Sequence, residues 1–325
     1  MKKLLAILLA SMVLLSGCTT KSSNTSGSGE TLYKIGIVQL AEHPALDDAR
    51  RGFEDGLKEL GVNAEINYKN AQGDIPTTLT ISQKFVNDKS DLIYAIATPA
   101  AQSAKQAAAN IPLLFSAVTD PVKSGLVDDW IKVGVNVTGT SDLVEQTAEQ
   151  LRMFKVIDPS IKKIGIIYNT NESNSEIQIE EVKRVASSEG LEIITMGVSN
   201  VNELPQTLES LIKKVDALYN ISDNLVANSV ELVSNKLLEH NMISISAEES
   251  QVTGGILITN GLSYYELGKQ TSKMAKQILV DGVDIKDIPV GLAEKTSTTV
   301  NMKTLKALGL DESLPLFKDA TKVGE

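Results

Sequence analysis

Cysteine is nearly missing from this chain: one occurs among 325 residues, at Cys18, and histidine occurs only twice, at His43 and His240. Beyond the N-terminal leader there is therefore no disulfide, no thiolate metal site and no cysteine nucleophile. Two histidines also leave Ser-His catalysis and histidine-rich metal centres poorly supplied. Aromatic residues make up only 4% of the chain, which argues against a pocket of many stacked rings. Tyr68, Phe115, Tyr168 and Tyr219 are left for single ring contacts or for core packing. Positive charge is scarce as well: 31 Lys and Arg face 41 Asp and Glu, a formal net charge of −10. Such a surface repels nucleic acid and anionic lipid. What remains, 42% hydrophobic and 22% charged residues, is globular composition, and the length allows two domains.

Long apolar runs are missing too. The segment 4–15 is apolar but too short to span a bilayer, which takes roughly 20 such residues. Lys2 and Lys3 precede it, and Leu15-Ser16-Gly17-Cys18 follows. A basic start, a short apolar segment and small residues are the order of a secretory signal. Leu-Ser-Gly-Cys also resembles the bacterial lipobox, in which the cysteine is lipidated and becomes the new N-terminus. We read residues 1–17 as a signal peptide, Cys18 as the lipidation site and 18–30, which lack apolar residues to bury, as a flexible tether. Two or more acyl chains hold a protein on a membrane where one binds only marginally. The expected location is the extracytoplasmic face of the cell membrane.

From Tyr33 onward, short apolar runs alternate with helical patterns. Strands are expected at 33–39, 63–68, 91–97 and 111–118, and helices at about 45–60, 75–87 and 98–109. The same programme then runs again. Lys34-Ile35-Gly36-Ile37 returns as Lys163-Ile164-Gly165-Ile166, and Ile75-Pro76 returns as Leu204-Pro205. Asp91-Leu92-Ile93-Tyr94 returns as Asp216-Ala217-Leu218-Tyr219, and Asn110-Ile111 returns as Asn241-Met242. Strands alternating with helices of this length imply βαβ units. The fold expected is α/β: two similar doubly wound parallel-sheet lobes joined by a multi-strand hinge. Lobe one takes 31–138 plus about 263–284, and lobe two 139–262 plus about 288–325. Residues 136–141 are a crossover before a helix near Asp142, and 254–261 a strand and turn. A helix over about 264–280 returns to the first lobe, 284–300 crosses back, and 301–308 is the last helix. Closure of the lobes around a ligand is the motion such a hinge supports.

Ligands of open α/β sheets bind outside the carboxyl ends of the strands. In the first lobe those ends carry Gln39, Ser116 and Thr98-Pro99-Ala100-Ala101. A Thr cap with Pro at the first helical position opens a helix whose free amides, at Ala100 and Ala101, suit a carboxylate. In the second lobe the corresponding positions carry Asp223-Asn224, Asn174-Ser175 and Glu248. Asp223 either accepts hydrogen bonds from an ammonium group or caps its own helix. Amides on one lobe and a carboxylate on the other together fit a zwitterion. Neither a metal nor a cofactor is called for.

Catalytic motifs do not hold up. Gly139-Thr140-Ser141-Asp142-Leu143 resembles a nucleophile elbow but lacks the second glycine. Gly268-Lys269-Gln270 has Gln where a phosphate loop needs Ser or Thr. A binding protein, not an enzyme, is expected.

Several stretches resemble a known family. They are Gln39-Leu40-Ala41-Glu42-His43-Pro44-Ala45-Leu46-Asp47, Ala97-Thr98-Pro99-Ala100-Ala101-Gln102, Thr119-Asp120-Pro121 with Gly125-Leu126-Val127, and Asn136-Val137-Thr138-Gly139. The chain is similar along nearly its whole length to bacterial ABC-transporter substrate-binding lipoproteins of the tryptophan/tyrosine type. The resemblance implies the type I periplasmic binding protein fold and capture of a solute outside the cell, by a monomer that delivers it to a permease with ATPase subunits. It also implies an aromatic amino acid such as tryptophan, phenylalanine or tyrosine as ligand, with Thr98 to Ala100 and Asp223-Asn224 among its contacts. A ligand-sensing surface receptor with the same fold, or a non-aromatic amino acid or other small solute, is the alternative.

Overall fold

Buried β-rich runs and amphipathic helices assemble two sheets. The computed structural model describes residues 31–108, 110–143, 146–294 and 296–324. The leader, Cys18 and the tether lie outside the described residues, and Leu32–Glu325 forms one compact unit. In chain order the elements begin β1 (Tyr33–Gln39), α1 (Pro44–Glu59), β2 (Ala64–Asn70), α2 (Ile75–Asn87), β3 (Leu92–Ile96), α3 (Thr98–Ala107), β4 (Leu113–Val118) and β5 (Val137–Ser141). All five strands are parallel, in the order β2-β1-β3-β4-β5.

The second sheet grows from α4 (Thr147–Ile157), β6 (Lys163–Asn169), α5 (Ser173–Ser188), β7 (Glu192–Val198), α6 (Leu204–Ile212), β8 (Ala217–Asn220), α7 (Asn224–Asn228), α8 (Val230–Glu239), β9 (Ile243–Ser246), α9 (Glu249–Thr253) and β10 (Ile258–Leu262). After α10 (Tyr264–Leu279) come β11 (Thr296–Asn301), α11 (Met302–Ala307), α12 (Pro315–Lys318) and β12 (Thr321–Val323). The strand order is β12-β11-β10-β9-β8-β6-β7. β12 gives the sheet an edge strand beyond 301–308, so that helix is not the last element as expected. The expected helix near Asp142 begins only at Thr147, and Gly254 ends α9 before the strand at Ile258.

The repeat has a physical basis in matching hydrogen bonds. In the first sheet the Lys34 amide donates to Asp91 Oδ2 at 2.7 Å, and the Asp91 amide returns a bond to the Lys34 carbonyl. In the second the Lys163 amide donates to Asp216 Oδ2 at 2.8 Å, and the Asp216 amide returns one to Lys163. Each Asp thus pins the start of one strand to its neighbour, and prolines open α2 and α6 alike.

The sheets are joined through α10 and the segments around it. α10 leaves β10 and packs on α1 of the first lobe, backbone to backbone: a Cβ on Gly52 would stand 2.0 Å from the Tyr265 carbonyl, and one on Gly268 2.0 Å from that of Ala49. Behind this seam Phe53 stacks on Tyr94, with ring centroids 4.1 Å apart. The returning chain is stitched to β5, Ser141 donating to the Gly291 carbonyl and Gly291 to that of Gly139. Because it re-enters the second sheet from the first lobe's side, β11 runs antiparallel to β10. The second sheet is therefore not parallel throughout.

Candidate functional site

The carboxyl ends of the strands of both sheets face a narrow cavity. It is lined from the first lobe by His43, Ala45, Leu46 and Ala117, and from the second by Asn174, Ser222, Asp223, Asn224, Ala227, Glu248 and Gln251. Asp142, just after β5, and Tyr264, the first residue of α10, close its hinge side. These two places are set locally: β5 ends at Ser141, whose hydroxyl donates to the Thr119 carbonyl, and the Ser263 side chain caps α10.

Small residues, Ala45 and Ala117, belong to the first-lobe wall, and the strand ends of that lobe have unusual backbone. Ala97 at the end of β3 and Ala117 within β4 hold φ of 85° and 58°. Alanine in this region is strained by about 1–3 kcal/mol, a condition that clusters at ligand sites. Ala97, not Thr98 as expected, is the N-cap of α3, so Thr98 and Pro99 are its first two helical residues and the Thr98 side chain makes no capping bond. The Ala101 amide, however, donates to the Ala97 carbonyl at 3.0 Å, because α3 begins a residue earlier than a Thr98 cap would make it. Thr98 and Ala100 keep the first-turn amides that lack an intrahelical acceptor, and Thr98 Oγ1 is buried with no partner among the described residues.

The second-lobe wall consists of carboxylates gripped by donors. Asp223 Oδ2 accepts from the Asn169 amide and Ser175 Oγ, each at 2.6 Å, and its Oδ1 accepts from the Val226 amide at 3.0 Å. Glu248 accepts from the Ser250 amide at 2.5 Å, Ser250 Oγ at 2.9 Å and the Gln251 amide at 3.2 Å. Glu172, beside the cavity, takes the Asn224 side-chain amide at 2.5 Å. With that amide committed, Asn224 Oδ1 is left to accept from His43 Nε2 at 3.1 Å, a bond from one lobe to the other. Gln178 Nε2 donates to Thr119 Oγ1 across the same gap, at 3.2 Å.

Burial governs the charges. It lowers the His43 pKa to about 4, against the Asn224 bond and Asp47, so the ring is neutral. It raises Asp142, Asp223 and Glu248, the last to about 7, against the hydrogen bonds each accepts. No Lys or Arg lines the cavity among the described residues. Several polar atoms of lining residues also have no partner among those residues: His43 Nδ1, Asp142 Oδ1, Asn174 Oδ1, Gln251 Oε1 and Ser222 Oγ. All but the Ser222 hydroxyl, which can also donate, are acceptors. Asn174 and Gln251 each spend their amide groups on backbone carbonyls, of Ser222 and Ile221, which leaves the oxygens over. A buried acceptor without a donor costs about 1–3 kcal/mol, so this cavity is complementary to a group rich in N–H.

Among the residues singled out from sequence, Asn174, Asp223, Asn224 and Glu248 therefore line one cavity, and Ser175 holds Asp223 from behind. Thr98, Pro99 and Ala100 stand at the end of β3. Ser116 is a correction: its hydroxyl lies 2.8 Å from that of Thr140 and 2.7 Å from that of Thr271, bonded inside the β4–β5–α10 contact rather than toward the cavity. Gln39 is likewise drawn away, its amide donating to Ala41 and Asp47. Tyr219 and Phe115 are core residues, Tyr219 donating to Gln150 at 2.6 Å.

Residues 34–324 match the family described as ABC transporter substrate binding protein. The chain belongs to that family. It is 40% identical over 324 residues to a tyrosine-binding protein of Clostridioides difficile, covering 96% of this chain and 93% of the relative. A Streptococcus pneumoniae ABC domain solved in complex with L-Trp is 33% identical and superposes with a TM-score of 0.86 over 90% of this chain and 100% of its own. The ligand-free, open structure of a C. difficile substrate-binding protein with adhesive properties is 43% identical, yet its TM-score is 0.69, over 90% and 99% of the two chains.

As a family member the chain is a solute-binding protein rather than an enzyme, built from parallel-sheet lobes and acting outside the cytoplasm. Among the described residues no helix is long and apolar enough to cross a membrane, and no group of His, Cys, Asp and Glu is placed to hold a metal ion. Sequence reasoning passed over Asp142, Tyr264 and Gln251. The expected helix start at Asp142 hid its role, and Tyr264 read only as the first residue of a helix. His43 is the signal that was visible: a histidine after a strand, before a proline-led helix.

Proposed function

We propose that this chain is the lipid-anchored receptor of an ABC importer, capturing an aromatic amino acid between its lobes as a monomer and handing it to a permease driven by ATPase subunits. The observation that carries the reading is the set of buried acceptors without donors around an interlobe cavity that has no lysine or arginine among the described residues. An α-ammonium group brings both the N–H donors and the charge such a wall calls for. The first turn of α3 supplies amides for the α-carboxylate, helped by the helix dipole. Ala45, Leu46, Ala117 and Ala227 offer an apolar face to the side chain. The tyrosine- and tryptophan-binding relatives favour an aromatic one. The higher TM-score against the L-Trp complex, despite the lower identity, supports reading this structure as the closed form.

The test is calorimetric and thermal-shift screening of the protein against the twenty amino acids, nucleosides and sugars. At 100 times its dissociation constant a ligand stabilises the fold by about 2.7 kcal/mol. Shifts confined to tyrosine, tryptophan and phenylalanine support the reading; a shift with sugars or nucleosides alone removes it. For the anchor, Cys18→Ala should release the protein from the membrane fraction of cells, and continued acylation of that variant would contradict the lipobox.

A further inference from the structure

Three buried carboxylates line the cavity, and they are not equivalent. Asp223 and Glu248 each accept from two backbone or hydroxyl donors and more, all belonging to the second lobe's own turns and helix starts. Those bonds fix the carboxylates as parts of the wall. Asp142 differs. Its Oδ2 accepts from the Tyr264 hydroxyl at 2.7 Å, while Oδ1 has no partner among the described residues, although the residue is only 3% exposed. We propose that Asp142, oriented by Tyr264, is the counter-charge for the ammonium group of the bound amino acid, and that Asp223 is a structural tie. The assignment rests on the amino-acid reading above and deepens it.

Geometry and chemistry agree on this. The Asp142 amide donates to the Val118 carbonyl at 3.3 Å, and Ser141 beside it bonds both Thr119 and Gly291. The carboxylate is thus mounted on the end of the first sheet, at the place where the chain returning from α10 is stitched to β5. Other lining residues also offer unpartnered acceptors to the ammonium N–H groups: His43 Nδ1, Asn174 Oδ1, Gln251 Oε1 and the Ser222 hydroxyl. Burial pushes the Asp142 carboxyl above its ordinary value, against the hydrogen bonds from Tyr264 and Thr119, and a cation beside it favours the charged form. With the α-carboxylate on α3, both charged groups of the ligand are met by the first lobe and its hinge. The second lobe then closes over an already anchored ligand.

Calorimetry on the full chain with L-tyrosine and its amine-free analogue 3-(4-hydroxyphenyl)propionate tests the assignment. The wild type should prefer tyrosine strongly. Asp142→Asn, nearly isosteric, should weaken tyrosine about 100-fold, as removal of one partner of a buried charge pair does, and leave the analogue nearly unchanged, so that the preference collapses. Tyr264→Phe, which keeps the charge but frees the carboxylate, should reduce the preference about tenfold. Melting curves of both variants check that they fold. If Asp142→Asn keeps the wild-type preference, or if a folded Asp223→Asn loses it, the assignment is overturned. If the wild type binds no amino acid at all, the functional reading falls first and the assignment with it.

Discussion

The two walls of the cavity are built by opposite means. On the first lobe the strand ends carry small side chains on unusual backbone: Ala97 and Ala117 bend into positive φ, and α3 opens with Thr98 and Pro99. The second lobe presents carboxylates, Asp223 and Glu248, each locked by amides and hydroxyls from its own turn. One wall presents donors on a strained frame; the other presents acceptors on a saturated one. A wall of saturated carboxylates is rigid and poorly placed to change partners. The one lining carboxylate oxygen without a partner among the described residues, Asp142 Oδ1, is at the hinge.

The comparison can be broken at its second wall first. Asp223→Ala strands the Asn169 and Val226 amides and the Ser175 hydroxyl, and should destabilise the fold by about 4 kcal/mol, judged from the cost of unsatisfied buried donors. Asp142→Ala strands the Tyr264 hydroxyl but also removes a buried, half-satisfied carboxyl, and should cost less, about 1–2 kcal/mol. Urea unfolding of both variants reads the difference, and equal losses would erase the distinction between tie and ligand contact.

Acid titration sharpens the same contrast, because His43 and Glu248 respond with opposite signs. His43 titrates near pH 4 when folded, against an ordinary 6.5. Between these values the unfolded chain binds more protons, so this residue makes stability fall as pH drops from 6.5 to 4. Glu248 titrates near pH 7 when folded, against 4.5. The folded chain binds the extra proton there, so this residue makes stability rise as pH drops from 7 to 4.5. Each contribution is at most about 3 kcal/mol. Relative to wild type, His43→Gln should therefore shift the stability slope toward a rise on acidification, and Glu248→Gln toward a fall against the remaining raised carboxyls Asp142, Asp223 and Glu172, in unfolding curves taken across this range. Identical slopes in the two variants would contradict the burial of one or both groups.

The smallest effect concerns strain on the first wall. Ala97→Gly should raise the melting free energy by about 1 kcal/mol, the relief of positive φ less the entropy of glycine. The same change at Ala95, inside β3, should lower it.

Much of the frame was legible in sequence, because it rests on local signals. β1 and α2 fall on the expected residues, and the recurring Asp91 and Asp216 mark the same strand-start bonds in both lobes. The walls were partly legible for the same reason: Thr98, Asn174, Asp223 and Glu248 follow strands and start helices. Asp142 was not, because its burial depends on Tyr264, 122 residues away. Ser116 misled for the complementary reason: its partners Thr140 and Thr271 come from β5 and α10, so its place at a strand end could not tell a core hydroxyl from a ligand contact.

Small-angle scattering of the protein with and without L-tyrosine or L-tryptophan tests the central claim, closure of two lobes on an aromatic amino acid, most directly. Contraction with either ligand, to a profile matching the structure described above, and none with L-lysine or glucose, is the predicted result. An unchanged profile at saturating aromatic amino acid, with binding verified by calorimetry, would contradict it.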